Sequence, residues 1–287
     1  MEAHAISEKI RFERITPNLG AYAHVAPQDI VADGVPDRIL EALTEYGVLV
    51  FPQLNLSDEL MVELTGCMGD LEKPVATADG SDTANKGIYP ISLAKSDKSQ
   101  REYVIGNNWW HMDGTSYSVP GKATLLKCEQ PPSAGGDTEF AHLFAAWEAM
   151  PEERKRELEN LHVVHCLEAV GRKFKPDYDV EDQARWHKVF PPTEHPLVWH
   201  QKSGRTSLVI GSTAWGIREL PEDEGSKLLD ELVEYCTQDE FTYRHHWHKG
   251  DLVIFNNPGL LHRSQPYDEA SGRLMHRTTI KGSEAIA

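Results

Sequence analysis

From residue 121 onward the chain is cut into short runs that end at glycine, proline or charged turns. KATLLKCEQ runs into PPSAGGD and then TEFAH; HPLVWH and TSLVIG flank QKSGR; FTYRHHWH meets KGD and then LVIF; GRLMHRTTI closes the series. Each run is short and rich in aliphatic, β-branched or aromatic residues, so each predicts a strand. Many short strands must protect their edges, and curling them into a barrel does so. Helical stretches fall between them: FAAWEAMPEERKRELEN at 144–160, and residues 223–237 with Leu228, Leu232 and Cys236 on one face. The pattern predicts an α+β chain whose core is a jelly roll, a double-stranded β-helix, with helices around it.

The N-terminal part supplies more covering elements. DRILEALTEY at 37–46 sets Ile39, Leu40 and Leu43 at helical spacing and stops at Gly47. VLVF at 48–51 reads as a buried strand. Ser57 opens a helix with Asp58 and Glu59 in its first turn and Leu60, Leu64 and Met68 along its apolar stripe. Residues 74–107 are polar and nearly free of large aliphatics, either a lid-like insertion or a plain surface excursion. With 287 residues, 40% of them hydrophobic, residues 1–287 are long enough for one large domain and are read as a single one.

A net charge of −16 argues against nucleic acid and against acidic membrane surfaces as partners. It does not exclude a small anionic ligand, because screening over roughly 8 Å lets a local arginine pair override the global field. Cys67, Cys128, Cys166 and Cys236 form no C-x-x-C and read as reduced thiols of a cytoplasmic protein. No signal-peptide core, membrane-length apolar run, internal repeat, G-x-G-x-x-G after a strand or P-loop is found.

WWHMDGTSY, residues 109–117, places His111 and Asp113 two apart. In a strand these side chains share a face and can converge on one ion. Together they are two thirds of the two-histidine, one-carboxylate set that binds non-haem Fe(II) and leaves positions open. The missing ligand is a distant histidine. His245, His246 and His248 are split between faces by alternation, and His162 and His165 read as structural; His262, between a hairpin loop and a basic strand, stands out. In that last strand Arg273, Met275, Arg277 and Thr279 share one face. If Leu274 and Ile280 pack against helices, two arginines about 13 Å apart point into the barrel and mark anion sites; a solvent-facing basic edge is the other reading. Trp109, Trp110 and Phe255 are either an apolar wall of such a site or plain core.

These residues also carry a resemblance: W-H-x-D at 110–113, G-G-D-T at 135–138, H-P-L-V with a G-R turn at 195–205, W-x-x-G-D-L at 247–252, L-H-R at 261–263 and R-x-M-x-R at 273–277. Over roughly residues 45–282 the chain resembles the taurine dioxygenase family of Fe(II)- and 2-oxoglutarate-dependent oxygenases, and within it the 2,4-dichlorophenoxyacetate branch. The resemblance implies that His111, Asp113 and His262 ligate iron and that Arg273, helped by Thr138, holds the distal carboxylate of 2-oxoglutarate. It implies that Arg277 faces the anionic group of the primary substrate, with Asn107 and His200 near it. It implies O2 as second cosubstrate, succinate and CO2 as products, a small carboxylate or sulfonate substrate, and a homo-oligomer. Two departures are visible: Phe255-Asn256-Asn257-Pro258 replaces the family's W-D-N-R, and GSTAWG at 211–216 stands where the phenoxyacetate branch often carries histidines.

An aspartate at 113 argues for oxygenation rather than halogenation, which needs that ligand position vacant. Desaturation, ring closure and epimerisation use the same ligands and stay open. A zinc-dependent, cupin-like hydrolase could use the same three residues, but it has no need of Arg273 for a cosubstrate. A binding module that kept the fold is the third possibility.

Overall fold

The computed structural model describes residues 9–72, 87–93 and 98–287. In chain order the elements are β1 (Ile10–Arg14), β2 (Ala21–Val25), α1 (Val35–Tyr46), β3 (Val48–Phe51), α2 (Asp58–Met68), β4 (Tyr89–Ile91), α3 (Lys98–Gly106), β5 (Ala123–Gln130), β6 (Thr138–His142), α4 (Leu143–Ala149) and α5 (Glu152–Leu158). There follow β7 (His162–His165), α6 (Leu167–Phe174), α7 (Val180–Val189), β8 (Thr193–Pro196), β9 (Val198–His200), β10 (Thr206–Leu208), β11 (Ala214–Ile217), α8 (Glu222–Cys236), β12 (Thr242–His245), β13 (Leu252–Asn256), β14 (Leu260–Ser264) and β15 (Leu274–Ile280). The architecture is α+β.

A seven-stranded sheet runs β1-β2-β3-β13-β5-β15-β4. Its pairs are antiparallel except β2 with β3. Val48–Phe51 of β3 and Leu252–Phe255 of β13 are apolar without a break because both faces are covered. Leu49, Phe51, Leu125, Leu252, Ile254 and Ile280 meet Ile39, Leu43, Met61 and Leu64 of α1 and α2 on the outer face. Val48, Val50, Leu126, Val253, Phe255 and Met275 meet Phe140, Trp247 and Leu260 on the inner face. Strand alternation thus assigns neighbouring residues to two different cores. The inner face looks toward the three-stranded sheet β12-β6-β14. A third core lies under β7, β9, β10, α4 and α8.

Local chemistry explains most boundaries. Ser57 caps α2, its side chain accepting from the Leu60 amide at 3.2 Å. Asp179 and Asp182 form a reciprocal capping box on α7. The single helix expected at 144–160 is two, α4 and α5, broken at Met150–Pro151; Pro151 lacks the amide that would continue the ladder. The expected hairpin at 195–211 is partly rearranged. Val198–His200 does pair with Thr206–Leu208, but His195 and Pro196 pair with β7. Residues 74–86 and 94–97 of the expected insertion lie outside the described residues. Its remaining part contains β4, paired with β15, and α3, so it is not a structureless excursion there.

Candidate active site

His111 and His262 are tied together by their backbones. Each amide donates to the other's carbonyl, at 3.0 and 2.9 Å, in an isolated antiparallel bridge. The imidazoles face each other with ring centroids 4.1 Å apart. Asp113 follows in the turn that ends the bridge. Its Oδ1 is 3.8 Å from His111 Nε2 and its Oδ2 is 4.0 Å from His262 Nε2. One donor atom from each of the three lies within 4.8 Å of the others. Chain segments about 150 residues apart in sequence are thereby closed around one point.

The donors are in the state a divalent cation requires. Burial, assisted by His111 and Arg277, pushes His262 down to about 3; burial also lowers His111. Burial raises Asp113, but His262, Arg277 and His111 outweigh it and hold the carboxyl below its ordinary value. Two neutral imidazoles and an ionised carboxylate are what metal ligation needs. His111 Nδ1 is 2.9 Å from the Trp109 carbonyl; it donates there and leaves Nε2 as a lone pair toward the site.

The donor set sits in a cavity lined also by Thr138, Arg273, Arg277, Met275 and Phe255. Arg273 is 3% exposed, lies over the Tyr267 ring at 4.8 Å, and has its Nε without a hydrogen-bond partner. A buried guanidinium in this condition is costly until an anion meets it. Trp247 Nε1 donates to Thr138 Oγ1 at 2.9 Å, so the threonine hydroxyl keeps its own proton to donate. The two can receive one carboxylate. Gly136 permits this: at φ +67 a Cβ would lie 3.1 Å from Arg273 Cδ and 3.2 Å from Nε, which explains the G-G-D-T turn.

Arg277 Nη1 donates to Tyr103 Oη at 2.7 Å and stands 3.7 Å from Asp113 Oδ2. Beside it opens a second, larger cavity of about 290 Å³. Asn107, His111 and Asp113 line both cavities. The larger one is walled by α3, α6, α7 and the residue that follows it, with Tyr103, Phe174, Trp186 and Phe190 as aromatic walls and the Glu102–Arg185 ion pair among them.

Of the residues singled out from sequence, His111, Asp113, His262, Thr138, Arg273, Arg277 and Asn107 line this one space. His200 does not. Its side chain is 57% exposed, bonded to Glu159 at 2.6 Å and to Thr206. The β9–β10 hairpin buries Trp199 instead and turns His200 outward, so its expected place near the substrate is withdrawn. Of the three aromatics, Phe255 faces the metal-site cavity, while Trp110 lies under the Arg263 guanidinium at 4.5 Å. Sequence reasoning missed Tyr103, Thr115 and Thr213; the first was legible as the residue one helical turn before Asn107. A second trio, Asp58, Glu129 and His276, has ligand-like spacing. Lys127 Nζ already stands 2.5 and 2.6 Å from its two carboxylates and supplies the cation.

Two imidazoles and a carboxylate converge in one cavity with a buried guanidinium whose Nε has no partner, a donor set that suits one divalent cation with an anion beside it. The model of the taurine catabolism dioxygenase TauD, TfdA family matches residues 11–279, and the chain belongs to that family. It is 34% identical over 253 residues to the alpha-ketoglutarate-dependent 2,4-dichlorophenoxyacetate dioxygenase of Cupriavidus pinatubonensis, covering 84% of this chain and 87% of that one. It is 32% identical over 249 residues to the (S)-phenoxypropionate/alpha-ketoglutarate-dioxygenase of Sphingobium herbicidovorans, covering 85% of each. The crystal structure of AAD-2 in complex with Mn(II) and N-oxalylglycine superposes with a TM-score of 0.81 at 27% identity, covering 97% of this chain and 100% of that one. The chain is a 2-oxoglutarate-dependent dioxygenase, an oxidoreductase that uses Fe(II), 2-oxoglutarate and O2.

Proposed function

We propose that the enzyme hydroxylates a C–H bond of a small organic anion, a carboxylate or sulfonate with an apolar body. Arg277 receives the anionic group, and the aromatic chamber between α3, α6 and α7 takes the body. The single observation that carries this reading is the position of Arg277, 3.7 Å from Asp113, where the metal-site cavity adjoins the larger chamber. The named relatives act on phenoxyalkanoates, which have this build.

His111, Asp113 and His262 would hold the iron, which would supply oxidative decarboxylation of the cosubstrate and oxidation of the substrate C–H. Arg273 and Thr138 hold the far carboxylate of 2-oxoglutarate and so aim its keto-acid end at the metal. Phe255, Met275 and Leu126 exclude water from that space. Neutral His111 and His262 need lose no proton to bind the metal. The two facing antiparallel sheets with the site between them support a double-stranded β-helix core, and the shared inner core supports one catalytic domain. Among the described residues no helix is long and apolar enough to cross a membrane. The free Cys67, Cys128, Cys166 and Cys236 support a reducing, cytoplasmic setting, and the net charge of −16 weighs against nucleic acid and acidic membrane surfaces as partners; a homo-oligomer follows from the family resemblance.

Succinate release from 2-oxoglutarate, measured against a panel of aryloxyalkanoates and alkyl sulfonates, tests the proposal. Coupled turnover with at least one class is expected, and Arg277→Met should raise KM for that substrate about 100-fold (roughly 3 kcal/mol) while leaving KM for 2-oxoglutarate nearly as it was. Equal KM in the variant would contradict the assigned role.

A further inference from the structure

Asp113 is held in an unusual way for a metal ligand. Among the described residues no hydrogen bond to its carboxylate is found; the basic side chains beside it, Arg277, His111 and His262, stand 3.7 to 4.0 Å away. Its direction is set by the backbone of the turn it sits in. Upstream, that turn is fastened by the His111–His262 bridge and by the Ser212 amide, which donates to the Trp110 carbonyl at 2.7 Å. Downstream, the fastening falls on Thr115. Its carbonyl accepts from His195 Nε2 at 2.9 Å, and its hydroxyl lies 3.0 Å from that of Thr213. Thr213 Oγ1 is in turn 2.8 Å from His165 Nδ1, and His165 Nε2 is 3.2 Å from the Val209 carbonyl.

Proton positions along this chain follow from its ends. A carbonyl only accepts, so His165 Nε2 carries a hydrogen. The ring is completely buried, with a hydroxyl and a carbonyl as partners and no carboxylate, so it is neutral and Nδ1 is a lone pair; burial pushing the group down to about 3 agrees with this. Thr213 therefore donates to Nδ1, and Thr115 must donate to Thr213. Every proton in the chain has one place, and each hydroxyl one orientation. Removing the middle hydroxyl leaves two buried groups unsatisfied.

We infer that His165, through Thr213 and Thr115, fixes the direction of the Asp113 carboxylate, which makes His165 and Thr213 positioning residues for the metal ligand. The inference rests on the reading of His111, Asp113 and His262 as the metal site. It assigns a task to a histidine that sequence alone marks as structural, and to part of the GSTAWG stretch by which this chain departs from the phenoxyacetate branch. Partners of metal ligands of this kind change affinity or activity by about 10- to 100-fold.

The test is anaerobic titration of the metal-free full chain with Mn(II), followed by electron paramagnetic resonance, alongside circular dichroism and thermal melting. Wild-type protein should bind one Mn(II), and Asp113→Ala should bind it far more weakly; if these two bind alike, the metal-site reading itself fails. Thr213→Val, nearly isosteric, should fold and bind Mn(II) about tenfold more weakly, with Thr213→Ser restoring affinity to within about twofold. The Thr115→Val/Thr213→Val double variant should bind no more weakly than Thr213→Val, because one chain is broken once. Wild-type affinity in folded Thr213→Val, or a loss that Thr213→Ser does not repair, overturns the inference while leaving the metal site standing.

Discussion

Arg273 is the side chain whose condition says most about what the cavity awaits. Its guanidinium is buried, its Nε is unpartnered, and burial lowers its pKa against the pull of Tyr267. Replacing a buried unpaired charge with an apolar side chain of similar length is neutral or stabilising, whereas removing half of a buried ion pair costs several kcal/mol. Arg273→Met should therefore leave the melting temperature of the cosubstrate-free protein unchanged or higher, yet raise KM for 2-oxoglutarate about 100-fold, roughly 3 kcal/mol. Melting curves and initial rates check both halves; a fall in Tm together with an unchanged KM would mean that Arg273 serves only the fold. At this scale the convergence of His111, Asp113 and His262 was readable because few side chains suit iron ligation and H-x-D places two such residues close together. His200 was misplaced because its role came from the family resemblance alone; in this chain the short hairpin buries Trp199, and the residue after it on the strand points outward.

Among the elements, α6 and α7 wall the larger cavity beside Asp113. They are joined through Glu168, buried on α6, which accepts from Tyr178 Oη at 2.7 Å, Gln183 Nε2 at 2.8 Å and His187 Nε2 at 2.7 Å. Burial raises the Glu168 carboxyl, but these donors outweigh it and hold it below its ordinary value. Glu168→Ala should destabilise the protein by about 2–4 kcal/mol and raise KM for the primary substrate while KM for 2-oxoglutarate changes little, since neither helix supplies a residue to the cosubstrate cavity. Chemical denaturation and a two-substrate kinetic series read this directly; equal effects on both KM values would show that the helices support the whole barrel rather than the chamber. These two helices went unread in the sequence. At 8 and 10 residues each spans only about two to three turns, too short for its apolar spacing to announce a helix. By contrast α1 and α2 were legible because they cover the outer face of the large sheet and repeat their apolar residues accordingly. In β15 the same logic let alternation separate Arg273, Met275 and Arg277 from Thr278 and Ile280.

Taken as a whole, the molecule keeps several imidazoles neutral by enclosure; among them His142, His165 and His262 are pushed down to about 4, 3 and 3, chiefly by burial. Unfolded, each would titrate near 6.5. Between those limits the unfolded chain binds more protons than the folded one, so stability is greatest above about 6.5 and is lost as pH falls through the window. Carboxylates such as Asp58 and Asp251, held below their ordinary values by histidine, lysine and backbone donors against burial, add their loss only further down. The metal-free protein should melt at a markedly lower temperature at pH 5 than at pH 7.5, and a flat profile would mean these rings are not enclosed in solution. How the strands sort into two facing sheets was legible only as a class, because pairing partners distant in sequence, such as β13 with β3 and β5, leave no local trace. The closure of that pairing is what carries His262 back to His111. The most direct test of the account is a crystal grown anaerobically with Mn(II) and 2-oxoglutarate and measured for anomalous scattering. The account predicts one strong peak bonded to His111, Asp113 and His262, with cosubstrate density running from it to Arg273. A peak at Asp58, Glu129 and His276 instead, or cosubstrate density that avoids Arg273, would contradict it.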